Sequence, residues 1–275
     1  MDIDAYFDRI GMKRRPPATL AGLTALHHAH LLAIPYDGLD IQLGRPVTIE
    51  RPAIFDKIVT RRRGGWCYEM NGLFGWALGE LGFAVTRATG AVTVSDNRDA
   101  NIGNHLVLRV DLDEGAYLAD VGLSHGPRDP FPITAGDFAS DGFAYKVEQL
   151  DGRWWRFHNH SLANPPAFDF DISPADESVL ATRCEELQRE SWSPFVQNLI
   201  CTRFTDDAVL VLLGRTLTTI KASGKTEHLI ASADELVSVL STRFGLDVPE
   251  AAALWPKVCK RHEAILAQRA AAAAS

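Results

Sequence analysis

The chain has 275 residues, 46% of them hydrophobic and 23% charged, with a formal net charge of −7. That length can bury a sizeable core as one large domain or two smaller ones, and the composition is ordinary for a soluble globular protein. The acidic balance argues against non-specific nucleic-acid binding and against anionic membrane surfaces, while leaving room for a local basic site.

The start, Met1-Asp2-Ile3-Asp4, has no basic segment followed by an apolar core, so no secretory signal is expected. No apolar run reaches the roughly 18 residues of a spanning helix. From Ile3 to about Gly82 the pattern is mostly helical, through Leu23, Leu26 and His27, then His30 and Leu31, then Ile54, Ile58 and Val59. His27, His28 and His30 read as packing and solvent-face residues, and Arg61 and Arg62 as a solvated run. Cys67, Cys184, Cys201 and Cys259 are too scattered for a zinc site, so no metal is expected and a reducing cytoplasm is the natural setting.

The segment Arg63-Gly64-Gly65-Trp66-Cys67-Tyr68-Glu69-Met70-Asn71 runs a glycine-rich turn into an amphipathic helix. Met70, Leu73, Phe74, Ala77, Leu78 and Leu81 recur at intervals of three and four, and Gly82 supplies the stop. A helix start concentrates unpaired N–H groups and positive dipole at Cys67, a setting that favours thiolate. Free cysteine is more often simply buried, so a nucleophile needs a base and an orienting group.

Downstream, the apolar alternation after Asn104-His105 and that of residues 116–121 read as two strands joined by turn residues. With an even loop, opposed positions in such a hairpin have an odd sum, and His105 and Asp120 then share a face, opposite or diagonal. Taken as residues 111–115 the turn is odd. The shared face therefore needs a bulge near Gly115 or strand ends shifted by one residue. On that face Asp120 can hold one imidazole nitrogen while the other addresses Cys67.

Further strands are expected at 84–94, 143–149, 199–205, 209–213 and 216–221, a helical stretch at 233–244, and a terminal helix at 251–268 with fraying over 270–274. His158-Asn159-His160 alternates on a strand with no cysteine or carboxylate cluster nearby and reads as structural or surface.

The stretch Arg61 to Leu73 closely resembles the active-site segment of the arylamine N-acetyltransferases, and His105 and Asp120, within Leu118-Ala119-Asp120-Val121-Gly122, match that family's other two triad positions. The resemblance extends to Ala5-Tyr6-Phe7-Asp8-Arg9-Ile10-Gly11, Ile34-Pro35-Tyr36-Asp37-Gly38-Leu39-Asp40, Lys225-Thr226-Glu227-His228 and Thr242-Arg243-Phe244-Gly245-Leu246. Family members usually carry Phe-Glu-Asn where this chain has Tyr36-Asp37-Gly38, a hydroxyl residue at Asn104, and phenylalanine at Leu123. The first and third of these departures fall on the acceptor pocket.

The resemblance implies an α+β fold with a cysteine-protease-like catalytic core: a helical bundle over 1–82 carrying the nucleophile, a β-barrel-like region over 83–184 carrying histidine and aspartate, and an α/β lid over 185–275. It implies a cytoplasmic enzyme of xenobiotic metabolism, monomer or homodimer, moving acetyl from acetyl coenzyme A to arylamines, arylhydrazines or arylhydroxylamines by a ping-pong acetyl-cysteine route. Cys67, His105 and Asp120 are its expected triad, with the Cys67 and Tyr68 N–H groups at the oxyanion and Arg63 bracing the site. Tyr36, Leu123 and Phe195 are expected to line the acceptor pocket, and Ser193 and His228 to approach coenzyme A. The chain has no P-loop or Rossmann glycine loop, so cofactor binding rests on the resemblance. The alternatives are a macrolactam-closing amide synthase, which Tyr36, Gly38 and Leu123 keep in view, a papain-like or transglutaminase-like hydrolase, and a binding protein that has kept the scaffold.

Overall fold

A computed structural model describes residues 1–92 and 97–273. The first third builds α1 (Ile3–Ile10), α2 (Leu20–Ala33), β1 (Tyr36–Asp37), α3 (Leu39–Gln42), α4 (Arg51–Phe55), which runs on into a π turn (Asp56–Thr60), and α5 (Cys67–Glu80). Caps set the helix ends: the Asp2 carboxylate accepts from the Asp4 N–H, Thr19 from the Gly22 N–H, and Gly11 ends α1 at φ 72°. The helical expectation omitted β1. This two-residue strand pairs with residues far along the chain, a contact that local periodicity does not record.

Eight antiparallel strands form the central sheet: β2 (Ala84–Val92), β3 (His105–Leu112), β4 (Gly115–Ala119), β5 (Phe131–Pro132), β6 (Gly136–Ser140), β7 (Phe143–Asp151), β8 (Trp154–His158) and β9 (Ala167–Pro174). Their order is β5-β4-β3-β2-β9-β8-β7-β6, so β5 and β6 are edges and the sheet is an open curl, not a closed barrel. Phe131 on one edge stacks on Phe138 of the other at 5.2 Å between ring centroids and on Phe157 at 5.1 Å, which brings the edges together around an aromatic interior. The strand expected over 84–94 ends at Val92, and residues 93 and 94 lie outside the described residues.

The rest comprises α6 (Glu177–Arg189), α7 (Pro194–Gln197), β10 (Ile200–Phe204), β11 (Val209–Leu213), β12 (Thr216–Lys221), β13 (Gly224–Leu229), α8 (Ala233–Val239) with a π turn (Leu240–Phe244), and α9 (Trp255–Ala273). These strands form a second sheet, β1-β10-β11-β12-β13, with Leu236, Leu240, Phe244 and Leu254 packed against Leu199, Leu212 and Leu217. The division expected between residues 184 and 185 falls inside α6, whose Asp176 cap and mixed charged face were not read as a helix. The terminal helix starts with a 3-10 turn (Pro249–Leu254), and α9 continues to Ala273 where fraying was expected.

One core joins all three regions. Tyr6, Leu23, Leu26, Ile54, Ile58 and Phe74 from the helices pack with Leu108, Val110 and Val121 at the central sheet and Phe204 and Val209 from the second. Among the described residues no helix is long and apolar enough to cross a membrane, and no group of three or more His, Cys, Asp or Glu side chains is placed to hold a metal.

Candidate active site

The turn before α5 is closely fitted. A Cβ on Gly64 would overlap the Pro35 carbonyl, and one on Gly65 would sit 2.9 Å from the Glu69 Cβ. Trp66 precedes the helix in extended backbone, and its N–H donates to Glu69 Oε2 at 3.2 Å, which closes the first turn. Cys67 is therefore the first helical residue, with an N–H that has no intrahelical acceptor. It is 3% exposed and packs with Tyr36, Trp66, Tyr68, Leu106 and Phe195, so the residue is turned to the buried interior, one of the two settings that the stripe allows.

Beneath this turn lies a buried charge network. Lys57 Nζ reaches both Glu69 carboxylate oxygens, at 2.9 and 2.7 Å, and Asp40 Oδ2 at 3.0 Å. Arg63 Nη2 lies 3.2 Å from Asp40 and 3.4 Å from Asp37. Burial opposes the Lys57 ammonium, but the Glu69, Asp37 and Asp40 carboxylates outweigh it and raise the group, so it stays charged. Burial also raises the Glu69 carboxyl, in opposition to Lys57, while the two-pronged ammonium contact and the Trp66 N–H hold it as an ionised carboxylate.

The hairpin resolves the register question. Leu112 pairs with Gly115 and Leu108 with Ala119, so the loop is the two residues Asp113 and Glu114 and paired positions have an odd sum. The strand ends, not a bulge, moved. Asp120 lies just past β4 on the diagonal from His105, and Asp120 Oδ2 accepts from His105 Nε2 at 2.7 Å. That bond leaves Nδ1 to face Cys67, whose Sγ lies 4.0 Å from the carbonyl of the preceding residue, Asn104. Asn104 exchanges two side-chain hydrogen bonds with Val92, each 2.8 Å, which ties the start of β3 to the end of β2.

Burial disfavours the His105 imidazolium, yet the Asp120 carboxylate, with hydrogen bonds to Asp120 and Cys67, more than compensates and lifts the ring to about 10. Burial likewise raises Asp120, but His105, Asn71 and the Gly122 N–H outweigh it and hold its carboxyl below the ordinary value. The cluster therefore places a buried cysteine beside a ring that retains its proton at neutral pH.

The other expected residues divide by place. Tyr36 and Phe195 stand with Cys67, Phe195 edge-on to Trp66 at 5.1 Å. Leu123 sits in the adjoining cluster with Phe131 and Phe157. The Tyr68 hydroxyl donates to the Gly103 carbonyl and anchors the segment leading to His105, while Arg63 braces the carboxylates below the turn. Ser193 is fully buried; its hydroxyl donates to the Leu187 carbonyl and accepts from the Phe195 N–H, so it caps α7. His228 is on the edge strand β13, four strands from β1, and pairs with Glu235 at 2.6 Å. It is not brought to Cys67. His158 meets Glu148, and His160 is buried against His125, with 2.9 Å between their Nε2 atoms.

Known proteins resemble this chain over most of its length. The sequence model described as N-acetyltransferase matches residues 19–253. An arylamine N-acetyltransferase of Mycolicibacterium smegmatis is 35% identical over 269 residues, covering 92% of this chain and 94% of that one. A pineal-gland isozyme of Gallus gallus is 31% identical over 276 residues, covering 90% of this chain and 94% of its own. Among solved structures, the M. smegmatis enzyme superposes with TM-score 0.84 at 32% identity over 94% of this chain and 98% of that one. The Mycobacterium marinum enzyme in complex with CoA has the same score at 30% identity, over 94% and 99%. The chain belongs to the arylamine N-acetyltransferase family.

Several further residues shape this candidate site. Asn71, one turn after Cys67, donates through Nδ2 to Asp120 Oδ1 at 2.7 Å and to the Leu106 carbonyl at 2.6 Å, and accepts from the Val121 N–H at 3.0 Å. A polar residue four places from the cysteine on a buried stripe was the available signal. Gly90 pairs with His105 across β2 and β3, and a Cβ there would lie 3.0 Å from the His105 Cβ; an isolated strand glycine announces such an approach. A Cβ on Gly122 would meet the Cys67 Cα at 2.8 Å.

Proposed function

We propose that this chain transfers an acetyl group from acetyl coenzyme A, a substrate and not a resident cofactor, to an arylamine, hydrazine or hydroxylamine through an acetyl-Cys67 intermediate. The observation that carries this reading is the His105–Asp120 pair at 2.7 Å beside a cysteine at the first position of α5, in a chain of this family. The Cys67 thiolate attacks the acetyl carbon, the new S–C bond forms, and the bond to the coenzyme A sulfur breaks. His105 gives its proton to that leaving sulfur. The amine then attacks the thioester, His105 takes the amine proton, and Cys67 departs as thiolate with the amide formed. Asp120 keeps the ring oriented and stabilises its charged form throughout. Donors at the start of α5 stabilise the oxyanion of each tetrahedral intermediate.

Cys67, His105 and Asp120 are the proposed catalytic residues, and Tyr36, Leu123 and Phe195 the proposed acceptor wall. The three regions 1–82, 83–184 and 185–275 are proposed as bundle, curled sheet and lid. A cytoplasmic location and a part in xenobiotic metabolism are proposed with this reading. The test is intact-protein mass after incubation with acetyl coenzyme A: the wild type should gain one acetyl group and release free coenzyme A, and Cys67→Ala should do neither. Transfer retained by Cys67→Ala would overturn the nucleophile assignment.

A further inference from the structure

The hairpin that carries His105 and Asp120 stops pairing just short of them. Its last pair toward the triad is Leu108 with Ala119, and the same register carried on would set Val107 opposite Asp120 and Leu106 opposite Val121. The side chain of Asn71 stands in the ladder at that point. Its Nδ2 donates to the Leu106 carbonyl at 2.6 Å and its Oδ1 accepts from the Val121 N–H at 3.0 Å, the two backbone groups that a paired Leu106 and Val121 would offer each other.

The second hydrogen on Nδ2 goes to Asp120 Oδ1 at 2.7 Å, where the Gly122 N–H also donates at 2.9 Å. With both N–H bonds given and the amide oxygen taken, the side chain has one orientation, since a flipped amide would set its oxygen against two acceptors and its nitrogen against a donor. Asn71 is fully buried, and its helix turn comes this close because residue 122 has no side chain: a Cβ on Gly122 would lie 2.6 Å from Asn71 Nδ2.

We propose that Asn71 is a positioning residue for the acyl-transfer step, whose amide wedges the hairpin open beyond Ala119 and holds Oδ1 of Asp120 so that Oδ2 is the oxygen presented to His105. The wedge spaces the two chains where His105 and Asp120 must meet on the diagonal, a longer reach than directly opposed positions need. With two donors on Oδ1, the carboxylate cannot turn about its Cβ–Cγ bond without breaking both. Asn71 acts through Asp120 and takes no part in the bond changes. One turn of α5 thus carries the nucleophile and, four residues on, the group that sets the other two members of the triad.

Asn71→Ala removes both the wedge and the donor to Oδ1. Single-turnover acetylation of Cys67 at saturating acetyl coenzyme A, which rests on the acetyl-Cys67 reading above, should slow by about 10²-fold, the usual effect of misplacing a reacting group by about an ångström. In an Asp120→Asn background the same substitution should slow it by less than about threefold, because a residue that acts through the carboxylate has nothing left to position. A second measurement needs no acetyl coenzyme A: the far-downfield proton resonance of the His105 Nε2–H, held between ring and carboxylate, should move upfield or broaden in Asn71→Ala. Asn71→Ser, whose short hydroxyl stays at the backbone pair and does not reach the carboxylate, takes both measurements where Asn71→Ala does not fold. Acetylation at the wild-type rate overturns the proposal, as does an unmoved resonance. So does an equal fall in both backgrounds, which would make Asn71 a structural residue only. A wild type that takes no acetyl overturns the functional reading alone, and the resonance then decides this inference.

Discussion

Asp120 accepts hydrogen bonds from His105 Nε2, Asn71 Nδ2 and the Gly122 N–H, so its two oxygens are oriented from three directions. An asparagine there cannot match them all, because its amide must turn an N–H toward a donor on one side. Asp120→Asn should keep the fold, read by circular dichroism, and lose up to ~10⁴ in turnover, as in other triads where the orienting carboxylate is neutralised. A fully active variant would remove Asp120 from the mechanism. The wild-type rate also has a predicted pH dependence. His105 holds its proton up to about 10, so Cys67 acetylation should persist from neutral to moderately alkaline pH and fall as pH passes that value. Without the carboxylate, burial is opposed chiefly by Cys67, and the fall should move to lower pH in Asp120→Asn.

At the scale of elements, the start of α5 owes its position to charges below it as much as to its glycines. Lys57, from the π turn after α4, ties Glu69 of α5 to Asp40 of α3, and all three are buried. Removing one member leaves carboxylates in a low-dielectric interior without their counter-ion. Lys57→Met should therefore destabilise by about 3 to 5 kcal/mol, measured by urea unfolding. Acetylation should fall as well, because Glu69 also fixes the N–H of Trp66 beside the nucleophile. A loss below about 1 kcal/mol would show that the network is not held as a buried ionised cluster.

For the molecule as a whole, buried histidines set the response to acid. His27 is pushed down to about 4, His125 to about 3 and His160 to about 4, and His30 lies well below its ordinary value, with burial the first cause in each. The unfolded chain binds protons at these rings from ~6.5 downward while the folded chain does not, so stability is lost as pH falls from there toward the folded values. His105 has the opposite shift; its contribution is complete below ~6.5 and does not offset the loss. Urea midpoints should drop between pH 7 and pH 5, the unfolding free energy falling by roughly 1 kcal/mol per buried histidine per pH unit below pH 6. A flat midpoint across that range would mean that these rings are charged or exposed in the folded state.

Legibility followed the range of the interactions. The Cys67 helix could be read because its apolar stripe, its glycine turn and its stop at Gly82 are all local. The hairpin could be read because its two strands are adjacent, and one shifted strand end was enough to settle the register. β1 could not be read: two residues carry no periodicity, and their partners lie on β10. α6 escaped because its helical face is interrupted by charge, and the curl of the central sheet depends on aromatic contacts between strands that are distant in sequence.

Sequence by itself determined the family and the three residues of the candidate triad, since each occupies a short motif whose chemistry is written in neighbouring residues. Tertiary structure alone decided that His105 turns Nε2 to Asp120 and leaves Nδ1 for Cys67, that Asn71 completes the carboxylate's shell, and that Ser193 is a helix cap. These depend on which side chains meet across strands and helices far apart in the chain. Close packing fixes those meetings, and no local spacing encodes them.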